Sequence, residues 1–303
     1  AIVGISGLSM EASSGFAGIQ PSASLGNSTY FAVFQLLNFG LAVYLFFKDR
    51  PEWRWFYGIA GVIMLGGIFI SGTRGVVVGL FAGVLVATIL IASFERNVTV
   101  LRKGAIGVLL VVVGLAGLLF VAKDTDFVQS QTTLNRVANI SLEDGESRFT
   151  IWGMSYEGFL ERPVLGWGQD NFPYVFSKYY DTDMWQHEPW YDRSHNVFLD
   201  WLIAGGILGL LAYLSMYLAG MYLLWFKTDD ELPVYVKSIM TGLFTAYFVQ
   251  NLFVFDNITS YIVFFGILAY IHFVSTRVQK DAMVVGQSID IDESAHTTVA
   301  VVG

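Results

Sequence analysis

The chain has 303 residues, of which 54% are hydrophobic and 14% charged, with no cysteine and a formal net charge of −8. Soluble domains carry about 25% charged residues, so this composition excludes an ordinary globular domain. The lack of cysteine excludes disulfides, and the acidic balance argues against nucleic acid as a partner. The apolar residues fall in blocks of the roughly 17 to 25 residues that cross a bilayer as a helix, which predicts an all-α polytopic membrane protein.

In chain order, residues 1–28 are polar and Gly/Ser-rich, with neither an initiator Met nor a signal-peptide pattern, and read as the start of a piece of a longer protein. Apolar blocks follow at 29–47, 55–71, 75–93 and 104–123. A long polar stretch intervenes, and three more blocks come at 197–226, 235–256 and 259–276, about seven transmembrane helices in all. The block at 197–226 exceeds one span and holds Gly205-Gly206, so a bend is expected there. Aromatic residues crowd the block ends (Trp53, Trp55, Phe56, Tyr57; Trp190, Tyr191; Trp225, Phe226), as in interfacial belts.

Basic residues orient the chain. Lys48, Arg50, Arg54, Arg96, Arg102, Lys103, Lys227, Lys237, Arg277 and Lys280, ten of the 17 Lys and Arg, fall on one side. By the positive-inside rule that side is cytoplasmic. The expected organisation is therefore an extracytoplasmic segment 1–28, four transmembrane helices within 29–123, and a large extracytoplasmic loop 124–194. Three transmembrane helices within 195–276 and a disordered cytoplasmic tail 277–303 complete it.

The polar loop is rich enough in aromatic and apolar residues to fold. After "SLEDGES", the run "RFTIWGMSYEGFLERP" predicts an amphipathic helix over about 147–161, ended by Pro163, with Arg148, Trp152 and Ser155 on one face. "VLGWGQDNF" supplies a glycine turn, and "YYDTDMWQHEPWYDRSHN" mixes aromatics with charges as a surface for sugars and phosphates would.

Within this frame His195 opens the fifth apolar block, with Ser194 as its expected N-cap. A helix N-terminus disfavours imidazolium and leaves a neutral ring able to take a proton; the alternative is an interfacial histidine hydrogen-bonded to backbone. Arg148 is either a bidentate grip for phosphate or an exposed partner of Glu143, Asp144 or Glu146. Arg74, between two apolar spans, is either functional, since an ionisable group there is costly, or snorkels to the interface. His187, Glu188, Asp192 and Arg193 lack the spacing of a metal site, so none is expected. Gln250, Asn251 and Asp256 are read as helix-locking hydrogen bonders in preference to cavity-lining groups. The chain lacks a P-loop, a GxGxxG helix entry and a GxSxG motif, which removes nucleotide use and serine hydrolysis.

Four stretches together resemble the O-antigen ligase family of membrane glycosyltransferases: "PSASLGNSTYFAVF" (21–34), "SGTRG" (71–75), "SRFTIWGMSYEGFLERPVLGWGQDNF" (147–172) and "SHNVFLDWLIAGGILGLL" (194–211). The resemblance covers about residues 20–275 and implies a fold like that of GT-C-type glycosyltransferases. It implies cofactor- and metal-independent transfer of a glycan from a polyprenyl-diphosphate carrier to a hydroxyl of a glycan, lipid or protein acceptor, outside a bacterial inner membrane. It assigns Arg74 and Arg148 to the donor diphosphate and His195 as the base, and places Asn27, Trp152, Gly166, Gly168, Arg193 and Asn196 around the substrate. Gln20 stands where relatives carry arginine. Polysaccharide polymerase and protein O-oligosaccharyltransferase are alternatives within the family. A lipid or sugar transporter is the alternative outside it, and would call for ionisable groups near midspan.

Overall fold

The computed structural model describes residues 25–131, 135, 138, 146–186, 190–228 and 232–277. The expectations for residues 1–24 including Gln20, for Glu143 and Asp144, for His187 and Glu188, and for the tail beyond 277 lie outside the described residues. All regular structure among the described residues is helical. The helices are α1 (Ser28–Lys48), α2 (Arg54–Ser71, entered by a 3-10 turn at Pro51–Trp53), α3 (Arg74–Phe94), α4 (Thr99–Ala122), α5 (Asp126–Ser130), α6 (Glu146–Glu161), α7 (Phe172–Lys178), α8 (Val197–Phe226), α9 (Val234–Gln250) and α10 (Ile258–Arg277). Six helices are long and apolar enough to cross a membrane: α1, α2 with its 3-10 turn, α3, α4, α8 and α10.

α9 differs from the rest. Its 17 residues reach about 25 Å at 1.5 Å per residue, yet it is the most enclosed helix, burying Val236, Met240, Leu243, Phe244 and Tyr247 among others. The apolar run expected to continue to 256 leaves the helix at Asn251. There the bonds Leu252 N to Val249 O (3.2 Å) and Phe253 N to Gln250 O (3.0 Å) tighten the chain into a turn. Asn257 then accepts from Thr259 N (3.0 Å) and Ser260 N (3.1 Å) and caps the start of α10.

α9 sits against α3 at backbone distance because both faces are small. A Cβ on Gly79 would fall 2.5 Å from Ala246 O, and one on Gly83 2.5 Å from Gly242 O and 2.7 Å from the Ala246 Cβ. Gly79 and Gly83 on one helix thus face Gly242 and Ala246 on the other, each pair spaced by four. Lipid offers no hydrophobic drive for helix association, and close van der Waals contact of this kind supplies it.

The bundle has two unlike ends. At one lie Lys48, Arg50, Arg54, Arg96, Arg102, Lys103, Lys227, Lys237 and Arg277; there Tyr235 meets Phe47 (ring centroids 6.1 Å apart) and Trp225 Nε1 donates to Thr241 Oγ1 (2.9 Å). At the other lie the α2–α3 turn, the 251–257 turn and the folded loop, where Phe255 meets Tyr30 (6.0 Å).

The loop has its own small core of Ile151, Met154, Trp167, Phe172, Val175, Phe176, Met184 and Tyr191, closed by Ile203 of α8. The helix expected over 147–161 is α6, running to Glu161 just before Pro163. α8 breaks at Gly206 (φ 61, ψ −158). The backbone groups released there are taken up by the Pro163–Gly168 turn: Ile207 N donates to Pro163 O (2.8 Å), Trp167 N to Ile203 O (2.6 Å) and Gly168 N to Ala204 O (3.0 Å). Non-helical backbone at membrane depth survives only when buried polar groups are paired in this way.

Candidate functional site

The non-basic end gathers the sequence-predicted residues from three places in the chain. His195 lies in the strap Asp192–Asn196 that leads into α8. The helix begins one step later than expected: Asn196, not Ser194, is the N-cap, and its side chain accepts from Phe198 N (3.0 Å) and Leu199 N (3.3 Å). Ser194 has a different task. Its backbone N–H and its hydroxyl both point at Asp200 Oδ1 (2.8 Å each), and its carbonyl accepts from Trp152 Nε1 of α6 (3.1 Å). On the far side Val197 N donates to Asn251 O (3.0 Å). These bonds fix the chain on both sides of His195, whose φ of 57° is left-handed, a conformation costing a non-glycine residue roughly 1–2 kcal/mol. Such strain persists where the surroundings over-determine it.

The imidazole stands between two rings, edge to face with Tyr191 (5.4 Å, 79°) and Phe255 (5.3 Å, 84°). Its Nδ1 lies 3.3 Å from Arg193 O. A carbonyl only accepts, so Nδ1 is the donor in this contact, and in the neutral ring the lone pair is left on Nε2.

Arg148 and Arg74 reach the same neighbourhood. Arg148, in the first turn of α6, is half-buried, and its pKa lies below the usual arginine range. Burial is the main cause; Tyr191 acts in the opposite sense, and the positive charge of Arg74 adds to the lowering. The guanidinium group therefore senses both Arg74 and the tyrosine ring that touches His195. Since arginine stays protonated in any case, the result is two like charges brought together. The expected partners Glu143 and Asp144 lie outside the described residues.

Arg74 is the first residue of α3 and follows the turn Ser71-Gly72-Thr73, in which Gly72 has φ 61°. Ser71 and Thr73 are buried, with Ser71 Oγ donating to Ile68 O (2.6 Å). A Cβ on Gly75 would stand 3.0 Å from the Phe253 Cβ, so this turn rests on the 251–257 turn. That segment also carries Phe255 to His195 and Asn251 to α8, and so links the Arg74 turn to His195.

The remaining predicted residues have well-defined structural duties. Asn27 caps α1, accepting from Thr29 N (2.7 Å) and Tyr30 N (3.3 Å). Trp152 holds the strap, as above. Gly166 (φ 68°) and Gly168 (φ 92°) dock the loop on the α8 break: a Cβ on Gly166 would fall 2.6 Å from Gly206 N and 2.9 Å from the Ala204 carbonyl carbon. Arg193 pairs with Asp170 (Nη2 to Oδ1, 3.0 Å) and lines a polar cavity of about 40 Å³ together with Asp200, Asp256, Gln169, Trp201 and Tyr261. Arg193 is thus flanked by carboxylates. Asp200 Oδ2 faces no hydrogen-bond partner among the described residues.

Sequence reasoning missed the Asp200 clamp and the surroundings of Asp256. Asp256 accepts from Tyr213 (2.8 Å), Tyr247 and Asn251 (3.2 Å), and Asn251 also donates to Tyr213 OH (2.9 Å). Burial raises the Asp256 pKa against the pull of these bonds. The helix-locking role expected of Asn251 and Asp256 fits this network, whereas the buried Gln250 amide makes no hydrogen bond among the described residues. The only sequence signal was an acid in the first turn of α8 and tyrosines four residues apart. Among the described residues no group of three or more His, Cys, Asp or Glu is placed to hold a metal ion.

A family model described as O-Antigen ligase matches residues 59–214, which takes in Arg74, Arg148 and His195. No curated protein matches the chain.

Proposed function

The chain belongs to the O-antigen ligase family, enzymes of the O-antigen ligase or polymerase type, and on that premise we propose that its non-basic end is the transfer site for a polyprenyl-diphosphate-linked glycan. What supports this is that Arg148 lies within electrostatic reach of both Arg74 and Tyr191, whose ring packs on His195.

His195 Nε2 removes the proton from an acceptor hydroxyl, and the oxygen attacks the anomeric carbon of the donor sugar. The bond from that carbon to the diphosphate oxygen breaks, and the polyprenyl diphosphate leaves with the electron pair. Diphosphate departure needs fixed cations where charge develops, and Arg74 and Arg148 stand in the first turns of α3 and α6. A neutral imidazole with its lone pair on Nε2 suits the base. The hydroxyl belongs to a glycan, a lipid or a protein.

The basic end then lies in the cytoplasm and the site outside it, in a bacterial inner membrane. In this reading α9 is a seventh crossing. Its start packs near Phe47 at the basic end and its end meets α8 at Val197, which supports a full traverse by a short, enclosed helix.

The test is surface glycan made by the full-length protein carrying His195→Ala or Arg148→Ala. Loss of transfer with normal membrane insertion is expected; normal glycan from a stably inserted variant would sink the assignment.

A further inference from the structure

A second cavity shares no lining residue with the proposed transfer site. It measures about 490 Å³ and lies between α1, α3, α4 and α9, walled by Leu36, Phe39, Val84, Val108, Ile239 and Leu243. α4 packs chiefly on α3 and buries only Ala105, so this space separates it from the rest of the bundle. The Thr88 hydroxyl at the wall is already bound to Val84 O (2.7 Å) and Leu85 O (3.1 Å), so it offers an occupant little polarity.

Size and charge narrow the occupant. At about 30 Å³ per water-sized group the space takes roughly 16 such groups, the bulk of a single acyl chain. A crossing helix about 10 Å wide and 30 Å long needs on the order of 2,000 Å³. Phe47, Val100, Leu101, Gly104 and Tyr235 line the cavity toward the basic end. Lys48 directly follows Phe47, and the exposed Arg102 and Lys103 sit between Leu101 and Gly104. Basic groups beside an interhelical opening attract anionic headgroups. A donor whose diphosphate lies at Arg74 and Arg148 would enter from the opposite end.

We propose that this cavity holds one acyl chain of an anionic glycerophospholipid, whose phosphate lies among Lys48, Arg102 and Lys103. The lipid would fill the space between α4 and the bundle and brace a helix that otherwise packs mainly on one neighbour.

The experiment equilibrates the full-length protein with vesicles of equal parts phosphatidylglycerol and phosphatidylcholine, then counts retained lipids by native mass spectrometry. Wild type is expected to retain phosphatidylglycerol in preference. Gly104→Phe places a ring in the cavity from a position where an added Cβ meets nothing within 4 Å, and should lower retention several-fold. Gly107→Phe, equally unobstructed but outside the lining, should leave retention unchanged. Arg102→Gln with Lys103→Gln should erase the preference between the two lipids. Equal retention by wild type and Gly104→Phe, an equal fall in Gly107→Phe, equal retention of the two lipids by wild type, or no retained lipid would each overturn the proposal. Since no catalytic group is altered, transfer activity is a separate readout.

Discussion

Replacing Gly166 with alanine measures how firmly the loop is docked on the broken helix. The residue sits at φ 68°, a conformation costing alanine about 1–2 kcal/mol. Its new Cβ would collide with backbone, 2.6 Å from Gly206 N and 2.9 Å from the Ala204 carbonyl carbon, and no side chain can rotate away to relieve it. The turn must lift, which weakens the bonds from Trp167 N, Gly168 N and Ile207 N, each worth about 1 kcal/mol net. Together these come to roughly 3–5 kcal/mol of lost docking. At 1.4 kcal/mol per tenfold, amide exchange at those three positions should quicken by roughly a hundred- to a few-thousandfold, while amides in α9 keep their protection. Transfer activity should fall with it, because α6 carries both Arg148 and the Trp152 bond to the His195 strap. Gly153→Ala, where an added Cβ meets nothing within 4 Å, is the control and should stabilise α6 by about 0.5–1 kcal/mol. Unchanged exchange at Trp167, Gly168 and Ile207 in Gly166→Ala would refute the docking role.

Arg148→Lys keeps the charge but loses the planar fork; transfer should drop by about 10-fold or more while thermal unfolding stays near wild type, and full activity would argue against bidentate phosphate contact. Asp200→Asn cannot serve Ser194 N–H and hydroxyl as a charged acceptor does, so a loss of about 1.5–3 kcal/mol from the strap is expected. The imidazole NMR signals of His195 would then broaden or shift; an unperturbed spectrum would count against the clamp. For Asp256 the folded pKa is raised by burial, so the folded state binds its proton more tightly than the unfolded one. Its contribution is complete below about pH 3.9 and is lost as pH rises through the higher folded value. Asp256→Asn should flatten that part of the Tm-versus-pH curve while lowering Tm through one lost acceptor; a slope identical to wild type would remove Asp256 as its source.

Much of the architecture was legible because lipid imposes simple rules. Each apolar block became a helix, since every backbone group in hydrocarbon must be paired within its own segment, and Gly205-Gly206 marked the bend at Gly206. α6 was readable from its amphipathic run and Pro163. Two boundaries were not. The N-cap fell on Asn196 because Ser194 is held by Asp200 and Trp152, a contact 42 residues away along the chain. The apolar residues after Gln250 left the helix because their side chains serve other elements, Phe253 under Gly75 and Phe255 against His195.

The glycines show the same division at closer range. Sequence alone marked Gly166 and Gly168 as a turn, and the turn is there; only the fold shows that its backbone repairs a gap in α8. Arg74 and His195 could be picked out singly, because ionisable residues at the edges of apolar blocks are costly and therefore informative, whereas Arg148 stood out only through the family resemblance. Their convergence was invisible in one dimension. Tyr191, Phe255 and the 251–257 turn bring them together, and these are ordinary apolar or aromatic residues whose function lies wholly in where long-range packing puts them. Composition and periodicity thus determined which segments are helical and which end is basic, since both depend on local properties of the chain. The tertiary structure decided which of the candidate residues lie near one another, since that depends on contacts between segments far apart in sequence.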